Sequence, residues 1–167
     1  MAAVTTLPAA FVAGNVLTAA QQNDLRGAFR ILQVVTATTA TQVNTTSTTY
    51  VTSGLAVTIT PSSNTSKIFI IASTAGLQAS SALNLSTYTL FRGTVAGTNL
   101  GVADGMAQIY GTAVPNHIPV CVTFLDSPAT TSATTYTLGM KSLNAATTTG
   151  AQVSNTTASI TVFEVSA

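Results

Sequence analysis

His117, Cys121 and Asp126 are the residue types of a nucleophile, base and orienter set, in which an imidazole takes a thiol proton and a carboxylate holds the imidazole. His117 is the only histidine of the chain and Cys121 its only cysteine. Both border or sit in the run Ile118-Pro-Val-Cys-Val-Thr-Phe-Leu125, which has the composition of a strand. Four residues of strand at ~3.3 Å each put His117 and Cys121 about 13 Å apart, beyond hydrogen-bond reach. The spacing therefore predicts no catalytic set. It predicts a loop-end histidine beside Pro115 and Pro119, and a buried structural thiol.

The remaining chemistry is sparse. Four acids, Asp24, Asp104, Asp126 and Glu164, are scattered along the chain, so nothing in the sequence pairs two of them as glycoside hydrolysis requires. Asp104-Gly105 and Asp126-Ser127-Pro128 read as turn chemistry. One His, one Cys and no local acid cluster leave no ligand set for zinc or calcium. The glycines of Gly93-Thr-Val-Ala-Gly97-Thr-Asn-Leu-Gly101 match neither a phosphate loop nor a dinucleotide fingerprint, and no Gly-Lys-Ser/Thr follows them. Asn44, Asn64, Asn84 and Asn155 begin Asn-x-Ser/Thr triplets, as chance produces in a chain this rich in hydroxyls. The sequence thus predicts no catalytic residue, no cofactor and no metal, and hence a protein that is not an enzyme.

Charge is the most unusual quantity. Only 5% of the 167 residues are Asp, Glu, Lys or Arg, with a formal net charge of +1, where a globular chain carries roughly a quarter. Thr supplies 33 residues. Such a chain coats itself in hydroxyls or lies against neighbours. No basic stripe is present for nucleic acid. Every apolar run is interrupted well short of the ~20 residues of a spanning helix. With no Trp and four Tyr, two aromatic girdles of a membrane barrel are not provided for. The first residues show neither a basic stretch nor the apolar core of a secretory signal, so export by that route is not expected.

Two regions differ in period. In the first thirty residues, Thr18-Ala-Ala-Gln21 reads as a capping box, followed by a short helix from about Ala19 to Arg30 with Leu25 and Phe29 on one face. Before it, Leu7-Pro8-Ala-Ala-Phe11-Val12-Ala-Gly14-Asn15 is apolar but broken, and is expected to run as an extended arm; residues 1–30 either dock onto another subunit or protein, the preferred reading, or pack on their own domain. From Ile31 the period becomes two. Ile31–Val35, Thr48–Thr52, Leu55–Thr60, Lys67–Ser73, Leu85–Arg92, Ile118–Leu125, Thr134–Ser142 and Ala158–Val165 are predicted strands, with a shorter one near Met106–Tyr110. Pro61-Ser-Ser-Asn64-Thr-Ser predicts a hairpin turn between Leu55 and Ser73. Ile118–Leu125 is apolar on both faces and is predicted to be buried on both.

Seven to nine short strands with polar turns and one N-terminal helix predict an all-β, two-sheet sandwich. The jelly roll is preferred to an immunoglobulin sandwich, which would ask for a Trp and a second Cys. The chain divides into an arm and short helix, 1–30, and a β-sandwich, 31–167.

Phe11-Val-Ala-Gly-Asn-Val-Leu-Thr-Ala-Ala-Gln-Gln-Asn23 resembles a leader near the start of tailed-bacteriophage virion proteins. Ile31-Leu-Gln-Val-Val-Thr-Ala-Thr, Ser47–Leu55, Val57–Ser63 and Ser66–Ile68, together with Ile160–Val165, are similar to a β module of phage fibre and head-surface proteins. The resemblance covers about half of the chain. It implies a trimeric jelly roll with neither cofactor nor catalysis. The expected function is a capsid decoration, or cement, protein that stabilises the head as a homotrimer, located on the virion and on the head surface rather than the tail. Its expected partners are its own copies and the major capsid protein, with neither nucleic acid nor membrane. Phe11, Val12, Val16, Leu17, Leu25 and Phe29 are the candidate anchors. The alternative is a tail-fibre or receptor-binding protein, held by tail proteins and touching host glycans through loops Gly76–Leu85 and Gly93–Gly111. The chain carries neither heptads nor repeats for a fibre shaft.

Overall fold

Strand alternation decides the architecture. The computed structural model describes residues 18–19, 31–78, 85–111, 116–145 and 147–166. Within these lie eleven strands: β1 Ile31–Thr39, β2 Val43–Thr45, β3 Val51–Ile59, β4 Lys67–Gln78, β5 Leu85–Arg92, β6 Thr98–Asn99, β7 Ala107–Tyr110, β8 Asn116–Asp126, β9 Thr134–Ser142, β10 Thr149–Ala151 and β11 Ala158–Val165. In β11 the residues Ala158, Ile160, Val162 and Glu164 are buried while those between them are half-exposed, the mark of a strand with one face in the core.

All pairings are antiparallel and form two sheets. β1 and β2 run collinearly along β11 and β10, and β6 and β7 run collinearly along β5. Counted this way the front sheet has the order β1/β2, β10/β11, β4, β8, and the back sheet the order β3, β9, β5, β6/β7. Eight such rungs, changing sheet at every step except from β5 to β6/β7, form a jelly roll, two interlocked Greek keys. The expected all-β sandwich and its jelly-roll topology are thus observed directly in the strand order.

Between the sheets lies one core. Leu55, Val57 and Ile59 of β3, Tyr88 and Leu90 of β5, and Tyr136, Leu138 and Met140 of β9 face Ile68, Ile70 and Ala72 of β4, Val120 and Val122 of β8, and Ile160 and Val162 of β11. Burying each large aliphatic contributes about 2 kcal/mol. With no disulfide available to the single Cys121, this packing and the ladders hold the fold.

Three expectations are corrected. Leu55–Ser73 is not a hairpin: β3 pairs with β9 and β4 with β11 and β8, so the Pro61–Ser66 turn carries the chain across the sandwich. β8 is buried on one face only. It is an edge strand: from Val120 to Asp126 the even-numbered positions point to the core, which leaves Leu125 51% exposed, and Ile118, before that stretch, is 42% exposed. Its Pro119 is tolerated because an edge has a side that needs no donor. Cys121 is exposed rather than buried, for the same parity reason. β2 and β10 were not anticipated. The 1–30 arm, with its six anchor candidates and the proposed helix, falls outside the described residues apart from Thr18 and Ala19.

Candidate partner-binding surface

The two outer faces of the sandwich differ. Over the back sheet the 93–106 segment is tied down by Leu100 N–H to Leu90 O at 2.9 Å, Met106 N–H to Tyr88 O at 2.8 Å and Thr137 Oγ1 to Gly93 O at 2.8 Å. Tyr50 closes it further: its ring stands edge-on to Phe91 at 5.3 Å, and its hydroxyl and Lys141 Nζ both donate to Ala103 O, at 3.2 and 2.7 Å. Burial, with Asp104 adding to it, pushes the Tyr50 hydroxyl up to about 12. Among the described residues, no comparable segment is tied across the front sheet.

Register writes the front face as rows. Val34, Phe163, Phe69 and Leu125 are successive neighbours across β1, β11, β4 and β8. The next row is Thr36, Thr161, Ile71 and Thr123, and the one after it Thr38, Ser159, Ser73 and Cys121. Thr36 and Thr161 hydroxyls hydrogen-bond at 3.0 Å. The face is therefore hydroxyl-clad over most of its length and apolar at one end.

A bulge enlarges that apolar end. Ile31 pairs with Val165 and Gln33 with Glu164, leaving Leu32 as the extra residue. The insertion shifts the alternation by one, so Ile31 joins Val34 on the outer face instead of turning inward with Gln33. Ile31 and Val34 are 57% and 52% exposed. Ile31, Phe69, Leu125, Phe163 and Val165 line a groove of about 430 Å³, with Phe69 and Phe163 ring centres 6.2 Å apart.

Beneath that end, the inward residues form two polar clamps. Glu164, fully buried, accepts from Ser62 N–H and Ser62 Oγ on one oxygen, each at 2.7 Å, and from Gln33 Nε2 at 2.6 Å on the other. Burial alone would push its pKa up. The hydrogen bonds from Ser62 and Gln33 outweigh it, and so does the nearby Ser66 hydroxyl, placed short of a well-formed bond. Together they hold the carboxyl at about 2. Asp126 at the end of β8 joins the sheets: Arg92 of β5 donates to it through Nε at 2.8 Å and Nη2 at 2.6 Å, and Tyr136 of β9 donates its hydroxyl at 2.7 Å. The Tyr136 hydroxyl is pushed well above its ordinary value by burial and by its bond to Asp126. Asp126, read from the sequence as turn chemistry, is instead an inter-sheet tie.

His117, Cys121 and Asp126 do not converge. β8 pairs with β4 in unbroken register from Asn116 to Asp126, so His117 and Cys121 stay four positions apart on the outer face while Asp126 points inward. A shallow hollow beside His117, lined also by Ser73, Thr74, Pro119 and Thr157, contains no acid. No group of three His, Cys, Asp or Glu that could hold a metal occurs among the described residues. No described helix is long and apolar enough to cross a membrane.

No protein-family model and no curated protein matches the chain. Solved structures of the VP2 protein of infectious bursal disease virus are similar over most of it. VP2 of derived T=1 particles is 11% identical with a TM-score of 0.42, covering 82% of this chain and 37% of that one. VP2 of the Gx strain virus is 12% identical with a TM-score of 0.40, covering 80% and 38%. The chain spans less than two-fifths of these proteins. Its jelly-roll assignment stands on its own strand order.

Proposed function

We propose that the protein is a virion structural component, a capsid decoration protein of a tailed bacteriophage that stabilises the head as a homotrimer. The observation that carries this reading is the near absence of free ionic charge on the described surface. Asp126 and Glu164 are buried and Arg92 is paired, leaving Lys67, Lys141 and Asp104 as the other ionic side chains. A body clad in Thr and Ser and almost without charge packs beside its own copies with little mutual repulsion. The resemblance of residues 11–23 and of the β module to phage virion proteins supports the same reading. In it, Phe11, Val12, Val16, Leu17, Leu25 and Phe29 belong to the anchoring segment, and the sandwich projects from the shell.

Purified particles test it by stoichiometry. Copies in proportion to capsomers are expected, with a trimer mass in light scattering of the isolated protein. Copies in proportion to tail fibres would move the protein to the tail, and absence from purified particles would end the reading. Phe11→Asp with Leu17→Asp in the full chain is expected to abolish capsid binding while leaving the β-sheet circular dichroism unchanged.

A further inference from the structure

We propose that the notch in the front sheet between β10 and β11, lined by Ser73, Ala75, His117, Pro119, Thr156 and Thr157, is a subsite for one ring of a neutral saccharide. The notch is built by a gap in a ladder. β10 leaves β4 at Leu77 and β11 joins it at Ser73, so among the described residues Thr74, Ala75 and Gly76 have no ladder partner on that side. Between the two strands, residues 152–157 leave the ladder, with Gln152, Ser154 and Asn155 in the left-handed region at φ 51, 56 and 57. Non-glycine residues keep such conformations only where surrounding contacts hold them. Here the buried Gln152 N–H donates to Thr74 Oγ1 at 3.0 Å, and Ser154 N–H donates to Gln42 Oε1 at 2.9 Å. The detour is therefore fixed, and the hollow beside it, about 260 Å³, is preformed, as small-molecule sites usually are.

Its walls carry the chemistry. Ser73, Ala75, His117 and Pro119 share the outward parity of β4 and β8, with Ala75 opposite Pro119 and His117 opposite Leu77. Ala75 and Pro119 give a small apolar floor, and the hydroxyls of Ser73, Thr156 and Thr157 line it together with the His117 imidazole. None of these four polar side chains hydrogen-bonds to another described residue, so their donors and acceptors are open to a ligand. A sugar ring has the matching outline, an apolar C–H face and a rim of hydroxyls that both donate and accept.

Charge decides the class of ligand. The ionic side chains of the described front-sheet strands are Lys67, Asp126 and Glu164, and the register gathers all three at the opposite end: Lys67 pairs with Val165, and Ile68 with both Glu164 and Asp126. Ser73 lies six residues along β4 from Lys67, about 20 Å at the rise of a strand. A phosphate or carboxylate would meet no Arg or Lys in the notch, and one imidazole among hydroxyls is not a zinc site. The hollow is smaller than the roughly 300–1,000 Å³ of drug-sized sites, which fits one ring, and it falls far short of the roughly 20–30 residues a side of a protein interface. The notch belongs to the folded sandwich, so the subsite stands or falls independently of where the protein sits on a particle.

His117 is the only histidine of the chain, so its imidazole protons give a single set of NMR signals in the full-length protein. Titrating glucose, galactose and N-acetylglucosamine at fixed pH is expected to shift those signals saturably with at least one sugar, with a Kd in the millimolar range. Inorganic phosphate at matched ionic strength should leave them in place. By saturation transfer, affinity for the same sugar should weaken about tenfold in Thr157→Val and in His117→Phe, and should be unchanged in Thr36→Val, which lies outside the notch. No saturable shift with any of the three sugars up to about 100 mM, an equal shift with phosphate, or equal binding by Thr157→Val and Thr36→Val would overturn the proposal. Circular dichroism on each variant separates lost binding from lost fold.

Discussion

Glu164 and Ser62 form a two-donor clamp in which one carboxylate oxygen accepts both the Ser62 amide and its hydroxyl at 2.7 Å. The last strand of the front sheet, β11, is thereby fastened to the crossover that carries the chain from β3 to β4. The carboxyl is held at about 2, against an ordinary value of 4.5, so the folded state favours its charged form. Stability from this group is complete above about pH 4.5 and is lost as pH falls toward 2. Because solvent reaches the turn around it, the loss is expected to be on the order of 1–2 kcal/mol. Urea midpoints at pH 7 and pH 2.5 should fall further for the native chain than for Glu164→Gln, which starts lower and changes less.

Asp126 carries three donated hydrogen bonds from two strands of the opposite sheet. Asp126→Ala strips Arg92 and Tyr136 of their acceptor and is expected to cost about 3 kcal/mol. Tyr136→Phe removes one donor from a carboxylate that keeps Arg92, and is expected to cost about 1 kcal/mol. Equal losses in chemical denaturation would show that the tie does not work through Asp126.

Gly76 of β4 faces inward where an added Cβ would stand 2.6 Å from Ile109 Cδ1 and 2.8 Å from both the Tyr88 hydroxyl and Val120 Cγ2. Tyr88 is itself fixed by a 2.6 Å bond to Gly150 O, so it cannot retreat freely. Gly76→Ala is expected to destabilise by about 1–3 kcal/mol through overpacking, read as a lower thermal midpoint with unchanged strand content.

Cys121 lies on the outer face of an edge strand. The native protein is expected to react with an aromatic disulfide reagent at a rate close to that of the urea-unfolded chain. Cys121→Ser should leave stability within about 0.5 kcal/mol of the native value. Strong protection of the thiol in the monomeric protein would contradict the placement of this face.

Where β-branched, aromatic and hydroxyl residues run together between turn residues, the sequence is a sufficient guide: β5, β9 and β11 have the bounds that composition predicts. Pairing partners were not legible, because Pro61–Ser66 is equally good chemistry for a hairpin and for a link between sheets. Which strand lies at an edge depends on non-local order, and for that reason the doubly apolar β8 was misread. Glu164 and Asp126 had a usable signal. Each shares the parity of its strand's core residues, Ile160 and Val162 in one case and Val120 and Val122 in the other, which marks a carboxylate pointing inward and in need of donors. Their donors, Ser62 and Arg92, are 102 and 34 residues away, and no local pattern names them. The apolar groove was equally hidden, since it exists only once Val34, Phe163, Phe69 and Leu125 are brought into register.

The pairing of Ile31 with Val165 gives the sandwich a top and a bottom. Both ends of the β domain leave from a single corner, alongside the links from β3 to β4, β5 to β6 and β8 to β9. The link from β2 to β3 and the C-terminal ends of β4, β7 and β9 lie at the opposite pole. Anything tethered through the corner leaves the β2-to-β3 link at the end away from the tether, so a peptide inserted there would be displayed at the far tip without crossing the sheets.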